Sequence, residues 1–357
     1  MKEFFIGDLK IPVPIIQGGM GIGVSLSGLA SAVANEGGIG TIATVGAGML
    51  NGNSNKDIRK SNIDGVIHEI RRARQLSNGV LAVNIMSVLT DYSELVKVSI
   101  EENIDIIFSG AGLPLDLPKY KIKESKTKLV PIVSSGRAAE IIANKWIQNF
   151  NYIPDAFVIE GPEAGGHLGY KLSDLETQNH NLKDLLQDVL KVTSEISAKH
   201  NREIPVIAAG GIDSGAKMRE FIELGATAIQ MGTIFISTKE CDASDKFKNA
   251  FFEAKEGDIK LLQSPVGLPG RAIGNEFLNA AERGEKRPTK CKYHCIKTCN
   301  PKTTNFCIAD ALLSAFYGDF DSGFAFSGAN GYKINSMTTV KELFQRLKKE
   351  FHANSNH

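Results

Sequence analysis

The stretch PVIAAGGIDSGAKMREFIELGATAIQMGT, residues 205 to 233, decides the fold. It opens on an apolar run, Pro205 to Ala209, and breaks at Gly210-Gly211. From Ala216 to Leu224 the apolar spacing is close to 3.6 and predicts a helix. A second apolar run, Ala228 to Met231, ends at Gly232 and Thr233. A strand, a helix and another strand joined by glycine turns read as a βαβ unit, the building block of parallel sheets.

Working outward, the same beat recurs. Short apolar runs at Ile15 to Gln17, Ile39 to Ala43, Val80 to Ile85, Ile104 to Phe108, Leu129 to Val133 and Ala156 to Ile159 bring the count of strands to eight. Leu26 to Glu36, Ile63 to Gln75, Ala138 to Trp146 and Leu182 to His200 have helical length and spacing between them. Eight βα units close naturally into a (β/α)8 TIM barrel of the α/β class, and the alternative is an open doubly wound sheet. Glycines favour the barrel. Gly18-Gly19, Gly46, Gly110, Gly161, Gly165-Gly166, Gly210-Gly211 and Gly232 all follow strand ends, which in a barrel share the rim where active sites sit.

Two stretches depart from the beat. Residues 45 to 62 are polar and too long for an ordinary βα connection. Residues 255 to 335 carry four of the five cysteines, a basic stretch from Arg283 to Lys292 and the segment GFAFSGANGY, before a final helix over Thr339 to Phe351. The expected division is a barrel over 1–254 and, over 255–357, a cysteine-bearing insertion with a C-terminal helix, packed over the barrel mouth.

Bulk composition narrows the functions. Lysine and arginine number 41 against 40 acidic residues, a net charge of +1, which removes the electrostatic case for nucleic acid or an anionic membrane as partner. A small-molecule substrate is expected, and a homo-oligomer is compatible with these counts. The N-terminal MKEFFIGDLKIPVPII lacks the features of a signal peptide, and no apolar run reaches membrane-spanning length. A cytoplasmic location with reduced thiols is the expectation.

Chemistry concentrates in GPEAGGHLGY, residues 161 to 170, directly after the strand AFVIE. Gly165 and Gly166 let backbone approach a flat ligand, and His167 reaches the same ligand from the rim as acid or base. The alternative for His167 is a hydrogen-bonded structural residue. Gly210, Gly211, Gly232 and Thr233 follow strands seven and eight, where barrels often hold phosphate. At the ends of strands one and three, Gln17 and Asn84 offer hydrogen bonds to a flavin's pyrimidine edge and Met20 apolar cover.

In order and spacing, IIQGGMG, VNIM, IEGPEAGGHLG, PVIAAGGI and IQMGT resemble the nitronate monooxygenase family, formerly the 2-nitropropane dioxygenases, and the related FMN-dependent enoyl-acyl carrier protein reductases. The resemblance spans roughly residues 10 to 275. It implies a (β/α)8 barrel with noncovalent FMN and His167 as the active-site histidine. By position, Gly211, Gln230, Gly232 and Thr233 would hold the phosphate end, with Gly210 and Gly166 beside them; Met20, Asn84 and Gly19 would lie near the isoalloxazine. The leading expectation is oxidation of alkyl nitronates by oxygen, and the alternative is NAD(P)H-dependent reduction of enoyl thioesters. A third reading is a non-catalytic barrel that binds FMN or phosphate. Arg271 in SPVGLPGRAIGN is read either as an attractor of anions or as a surface residue.

Cys291, Cys295, Cys299 and Cys307 follow a C-x3-C-x3-C-x7-C spacing that matches neither the usual zinc pairs nor common ferredoxin runs. If 291–299 is helical, the first three thiols share one face and suit an iron–sulfur cluster better than zinc. Against both stands the reading of reduced thiols packed as small apolar groups.

Overall fold

The computed structural model describes residues 1–50, 57–177 and 179–353. An N-terminal hairpin, β1 (Phe4–Ile6) and β2 (Leu9–Ile11), precedes the barrel. The barrel strands in chain order are β3 (Ile15–Gln17), β4 (Ile39–Ala43), β5 (Val80–Met86), β6 (Ile106–Gly110), β7 (Lys128–Val133) and β8 (Phe157–Glu160), then, after a short rim strand β9 (Gly166–His167), β10 (Val206–Ala209) and β11 (Ala228–Met231). Parallel pairing runs β3 to β8 and on through β10 and β11 back to β3, closing the sheet. All eight expected strands are present, so the fold is a (β/α)8 TIM barrel.

Closure follows from side-chain alternation. Ile16, Ile39, Ala82, Ile106, Phe108, Val130, Val158, Ile207 and Ala228 fill the interior, while Phe4, Ile6 and Ile11 of the N-terminal hairpin plug its lower end. The intervening residues face the helices α1 (Ser27–Asn35), α2 (Ile58–Leu76), α3 (Tyr92–Glu101), α4 (Gly136–Phe150), a short α5 (Leu172–Glu176), α6 (Leu182–His200) and α7 (Gly215–Glu223). Helix starts obey capping chemistry: Ser135, Asn181 and Ser214 each accept a backbone N–H of the first turn. Helix α1 packs so closely on β4 that a Cβ at Gly40 would lie 1.8 Å from the Ala30 carbonyl oxygen.

Helix α2 starts ahead of the expected Ile63, because Asp57 caps it by accepting the Lys60 N–H at 3.1 Å. Of the long polar stretch 45–62, residues 51–56 lie outside the described residues.

Past β11 the chain forms α8 (Asp245–Glu253), a hairpin of β12 (Ile259–Gln263) and β13 (Pro269–Ile273), α9 (Glu276–Glu282), the cysteine segment, α10 (Ile308–Phe316) and α11 (Val340–His352). Strand β13 also pairs antiparallel with β9, matching Gly270 to His167 and Arg271 to Gly166. The last helix packs against α7 and α1, where Glu350 accepts the Gly215 N–H at 2.7 Å. It therefore fills the eighth helical position of the ring. Among the described residues no helix is long and apolar enough to cross a membrane.

Candidate active site

Strand ends β3, β5, β8, β10 and β11 and the rim strand β9 open into one cavity at the barrel mouth. The structure brings ten residues selected from the sequence onto its walls: Gly19, Met20, Asn84, Gly166, His167, Gly210, Gly211, Gln230, Gly232 and Thr233. Gln17 does not join them. It is fully buried between strands, where its Oε1 accepts the Thr41 N–H at 2.9 Å, so its carbonyl is already used.

Glycines shape the walls for reasons visible in the backbone. Gly166, Gly210 and Gly211 have φ of +80°, +97° and +74°, a region that side chains disfavour. A Cβ on Gly166 would meet nothing within 4 Å, so this position opens onto the cavity. Gly232 and Thr233 begin a 3₁₀ turn whose first N–H groups lack intrahelical acceptors. Nearby, Lys217 Nζ donates to the Gly211 carbonyl at 2.9 Å, and Lys217 and Lys333 both pair with Asp213. Asp213 and Glu163, whose carboxylate stands against Gly211, offset these lysines, so an anion at this end would be held by the free backbone N–H groups.

His167 lies on the wall of the same cavity. Its Nε2 lies 2.8 Å from the Ser264 hydroxyl, and Phe326 packs edge-on to its ring with centroids 4.9 Å apart. Burial pushes its pKa down to about 4, so the imidazole is neutral at pH 7. Glu160, at the end of β8, also lines the cavity, and burial pushes its carboxyl up to about 8. A neutral base and a neutral acid therefore share one site, which is how environment assigns opposite proton-transfer roles.

Arg271 is neither an anion attractor nor a free surface arginine. Its guanidinium donates to the carbonyls of Pro162 and Ala164, both at 2.6 Å, and so clamps the glycine loop before His167. Sequence reasoning missed Ser264, Glu160 and Phe326, and also Gly328, Asn330 and Gly331, whose segment closes the cavity from the C-terminal side. Gly328 N–H donates to Thr233 Oγ1 at 3.0 Å and Asn330 Nδ2 to the Gly211 carbonyl at 3.0 Å, contacts that no local pattern announces.

Residues 291–299, whose first three thiols would share one face if helical, form no helix. This stretch is irregular, with His294 left-handed at φ +45°, and is tied down by backbone bonds from Thr90 N–H to the Cys295 carbonyl and from Lys297 N–H to the Val88 carbonyl, both 3.0 Å. Tertiary pairing overrides local propensity. Cys291, Cys295, Cys299 and Cys307 nevertheless line one cavity of about 370 Å³, which shares Cys295, Ile296 and Ile308 with the barrel-mouth cavity. Burial raises the thiol pKa of Cys295 to about 12 and also raises those of Cys299 and Cys307. Among the described residues no three His, Cys, Asp or Glu side chains converge as metal ligands, so neither zinc nor an iron–sulfur cluster has a formed ligand set.

Comparison with known proteins places this geometry. The chain matches the family described as nitronate monooxygenase over residues 2–350. It is 29% identical over 308 residues to a probable nitronate monooxygenase of Staphylococcus saprophyticus, covering 76% of this chain and 79% of the relative. A probable nitronate monooxygenase of Staphylococcus aureus is 30% identical over 316 residues, covering 78% and 79%. Among solved structures, FabK from Thermotoga maritima superposes with a TM-score of 0.72 at 29% identity, over 96% of this chain and 93% of that one. A nitroalkane oxidase from Streptomyces ansochromogenes, 21% identical, shares the fold with a TM-score of 0.73 over 96% of both chains. The chain belongs to the nitronate monooxygenase family and is a flavin-dependent oxidoreductase.

Proposed function

We propose that this protein binds FMN in the barrel-mouth cavity and oxidises alkyl nitronates with oxygen. The observation that carries the reading is the pairing of a neutral, hydrogen-bonded His167 with a glycine-lined, lysine-flanked rim after the seventh and eighth barrel strands. The cavity fits the cofactor in a second way. Among the described residues Gln230 Oε1 is buried without a partner, an acceptor waiting for a donor, and unpaired acceptors of this kind are costly unless a ligand satisfies them.

In this reading the N–H groups of Gly211, Gly232 and Thr233 hold the phosphate, with Gly210 and Gly166 giving close backbone approach. Gly19, Met20 and Asn84 face the ring, and Gln230, expected at the phosphate end, joins them here because its bare Oε1 needs a donor that a phosphate does not offer. Bound FMN supplies the redox chemistry; the chain supplies position, exclusion of water and a histidine beside the substrate. Substitution H167A should lower kcat/KM toward propyl-2-nitronate by at least about a hundredfold, whereas an unchanged rate would favour the non-catalytic barrel.

The second reading, an NAD(P)H-dependent enoyl-acyl carrier protein reductase, is favoured by the apolar flank of the cavity. Ile236, Phe247, Ile308 and Leu312 extend the space beyond what a small nitronate needs. Anaerobic additions separate the readings: bleaching of the flavin by propyl-2-nitronate alone supports the first, and rapid bleaching by NADPH supports the second.

For the cysteine quartet, the finer reading is an iron–sulfur cluster. Its support is that all four thiols line one cavity, and a cluster would require them to converge from where they now stand. Acid-labile absorbance near ~400 nm in anaerobically purified protein tests it; its absence leaves four packed thiols.

A further inference from the structure

The proton inventory around His167 is short enough to assign. Among the described residues His167 Nε2 has one partner, the Ser264 hydroxyl at 2.8 Å. That oxygen already accepts the Val266 N–H at 3.3 Å. Ser264 is 4% exposed, and among the described residues its hydroxyl proton has no other acceptor. A buried hydroxyl that donates to nothing forfeits its hydrogen bond at full desolvation cost. The hydroxyl therefore donates to Nε2. Since the imidazole is neutral, its own proton resides on Nδ1.

Ser264 is fixed in turn. It lies in the turn between β12 and β13, where its N–H donates to the Leu268 carbonyl at 3.2 Å and its carbonyl accepts the Gly267 N–H at 3.0 Å. The same hairpin pairs Gly270 with His167 and receives the Leu168 N–H on the Pro269 carbonyl at 2.8 Å. One hairpin thus sets both the backbone and the ring of the histidine.

We propose that Ser264 is a positioning residue that holds His167 as the Nδ1–H tautomer, so that the imidazole meets the substrate as a hydrogen-bond donor. This rests on His167 being the residue that faces the substrate. A donor at Nδ1 stabilises an anion such as a nitronate; removal of a proton from a neutral nitroalkane would require the opposite tautomer. The other titratable groups on the cavity wall are Glu160, Glu163, Asp213 and Cys295, and none has a hydrogen bond to the histidine ring. Tyr170, on the loop beyond β9, donates to the Glu160 carbonyl instead.

The test is ¹⁵N-detected NMR of histidine-labelled holoenzyme at pH 7, with the His167 signal assigned by its loss in H167Q. The expected signal is Nδ1–H with a bare Nε2. In S264A the signal should move toward the Nε2–H form, kcat for the nitronate should fall about tenfold, and KM should change less than threefold. S264T, which keeps the hydroxyl, should restore both tautomer and rate. An Nε2–H signal in the unaltered enzyme overturns the proposal, as does an S264A variant with unchanged tautomer and rate. Should the protein bind no flavin, the functional reading fails, while the tautomer in the apo protein still decides the role of Ser264.

Discussion

Glu160 shows how one side chain ties stability to pH. In an unfolded chain its carboxyl ionises near ~4.3; in the fold, burial pushes it up to about 8, with no neighbouring charge contributing. Between those values the native protein keeps a proton that the unfolded chain has lost. Stability therefore falls as pH rises through this window and the loss is complete above the folded value. Glutamine has the same shape without the proton equilibrium. E160Q should flatten the decline of apo-protein stability between pH 5 and pH 8, a difference of up to ~3 kcal/mol measured by urea titration. Parallel curves for the two proteins would show that Glu160 is not the group responsible. His167 acts in the opposite window: its depressed pKa lowers stability as pH falls from ~6.5 toward 4. His167 itself was legible, because a histidine between glycines after an apolar strand is a local pattern. Glu160 was hidden in AFVIE as the last residue of a strand, since its inward direction depends on the barrel register that also places Ala156 and Val158 inside.

At the scale of elements, the eight strands and most helices were legible because each is encoded by its own apolar period. The conformation of the cysteine segment stayed open for the converse reason. Its conformation is imposed by the β5–α3 loop, where Leu89 bridges Ile296, and nothing within 291–299 records that partner. Ser264 escaped notice likewise, standing 97 positions from His167. Contacts of this class have strong consequences. Arg271 links β13 to the loop before His167 through two carbonyls, and a partly buried guanidinium bond is worth ~1.5–3 kcal/mol. R271M should loosen Pro162 to Gly166, seen as faster amide exchange there, and weaken FMN binding about tenfold; full protection in R271M would contradict the clamp. Gly40 governs the seat of α1 on β4. The Cβ of G40A would lie 1.8 Å from the Ala30 carbonyl oxygen, backbone that cannot yield without moving the helix, so a loss of at least ~3 kcal/mol is expected in a thermal melt.

For the whole molecule, the consequence of the topology is that the barrel is completed by the end of the chain. After β11 the polypeptide leaves the ring, builds the hairpin that holds His167, crosses the mouth through α10 and the 327–331 segment, and returns as α11 between α7 and α1. We propose, accordingly, that 1–254 does not fold without 255–357, so that the stretch read from the sequence as an appendage packed on the barrel is part of its closure. Helix α11 buries Val340, Leu343, Phe344 and Leu347, each ~1.5–3 kcal/mol of transfer free energy, together on the order of 10 kcal/mol. That matches the entire stability of a typical domain, ~5–15 kcal/mol. Losing the helix also uncovers Phe235, whose ring packs 6.3 Å from Phe344, and leaves Arg219 without the Phe351 carbonyl. A chain ending at residue 338 keeps every barrel strand, the rim and the cysteine segment, so it isolates ring closure from the site itself. It should bind the apolar dye ANS, lose its cooperative thermal transition and fail to retain FMN. A cooperative melt within a few degrees of the full-length protein would show that the eight strands close the barrel without the last helix, and that this helix serves only as cover.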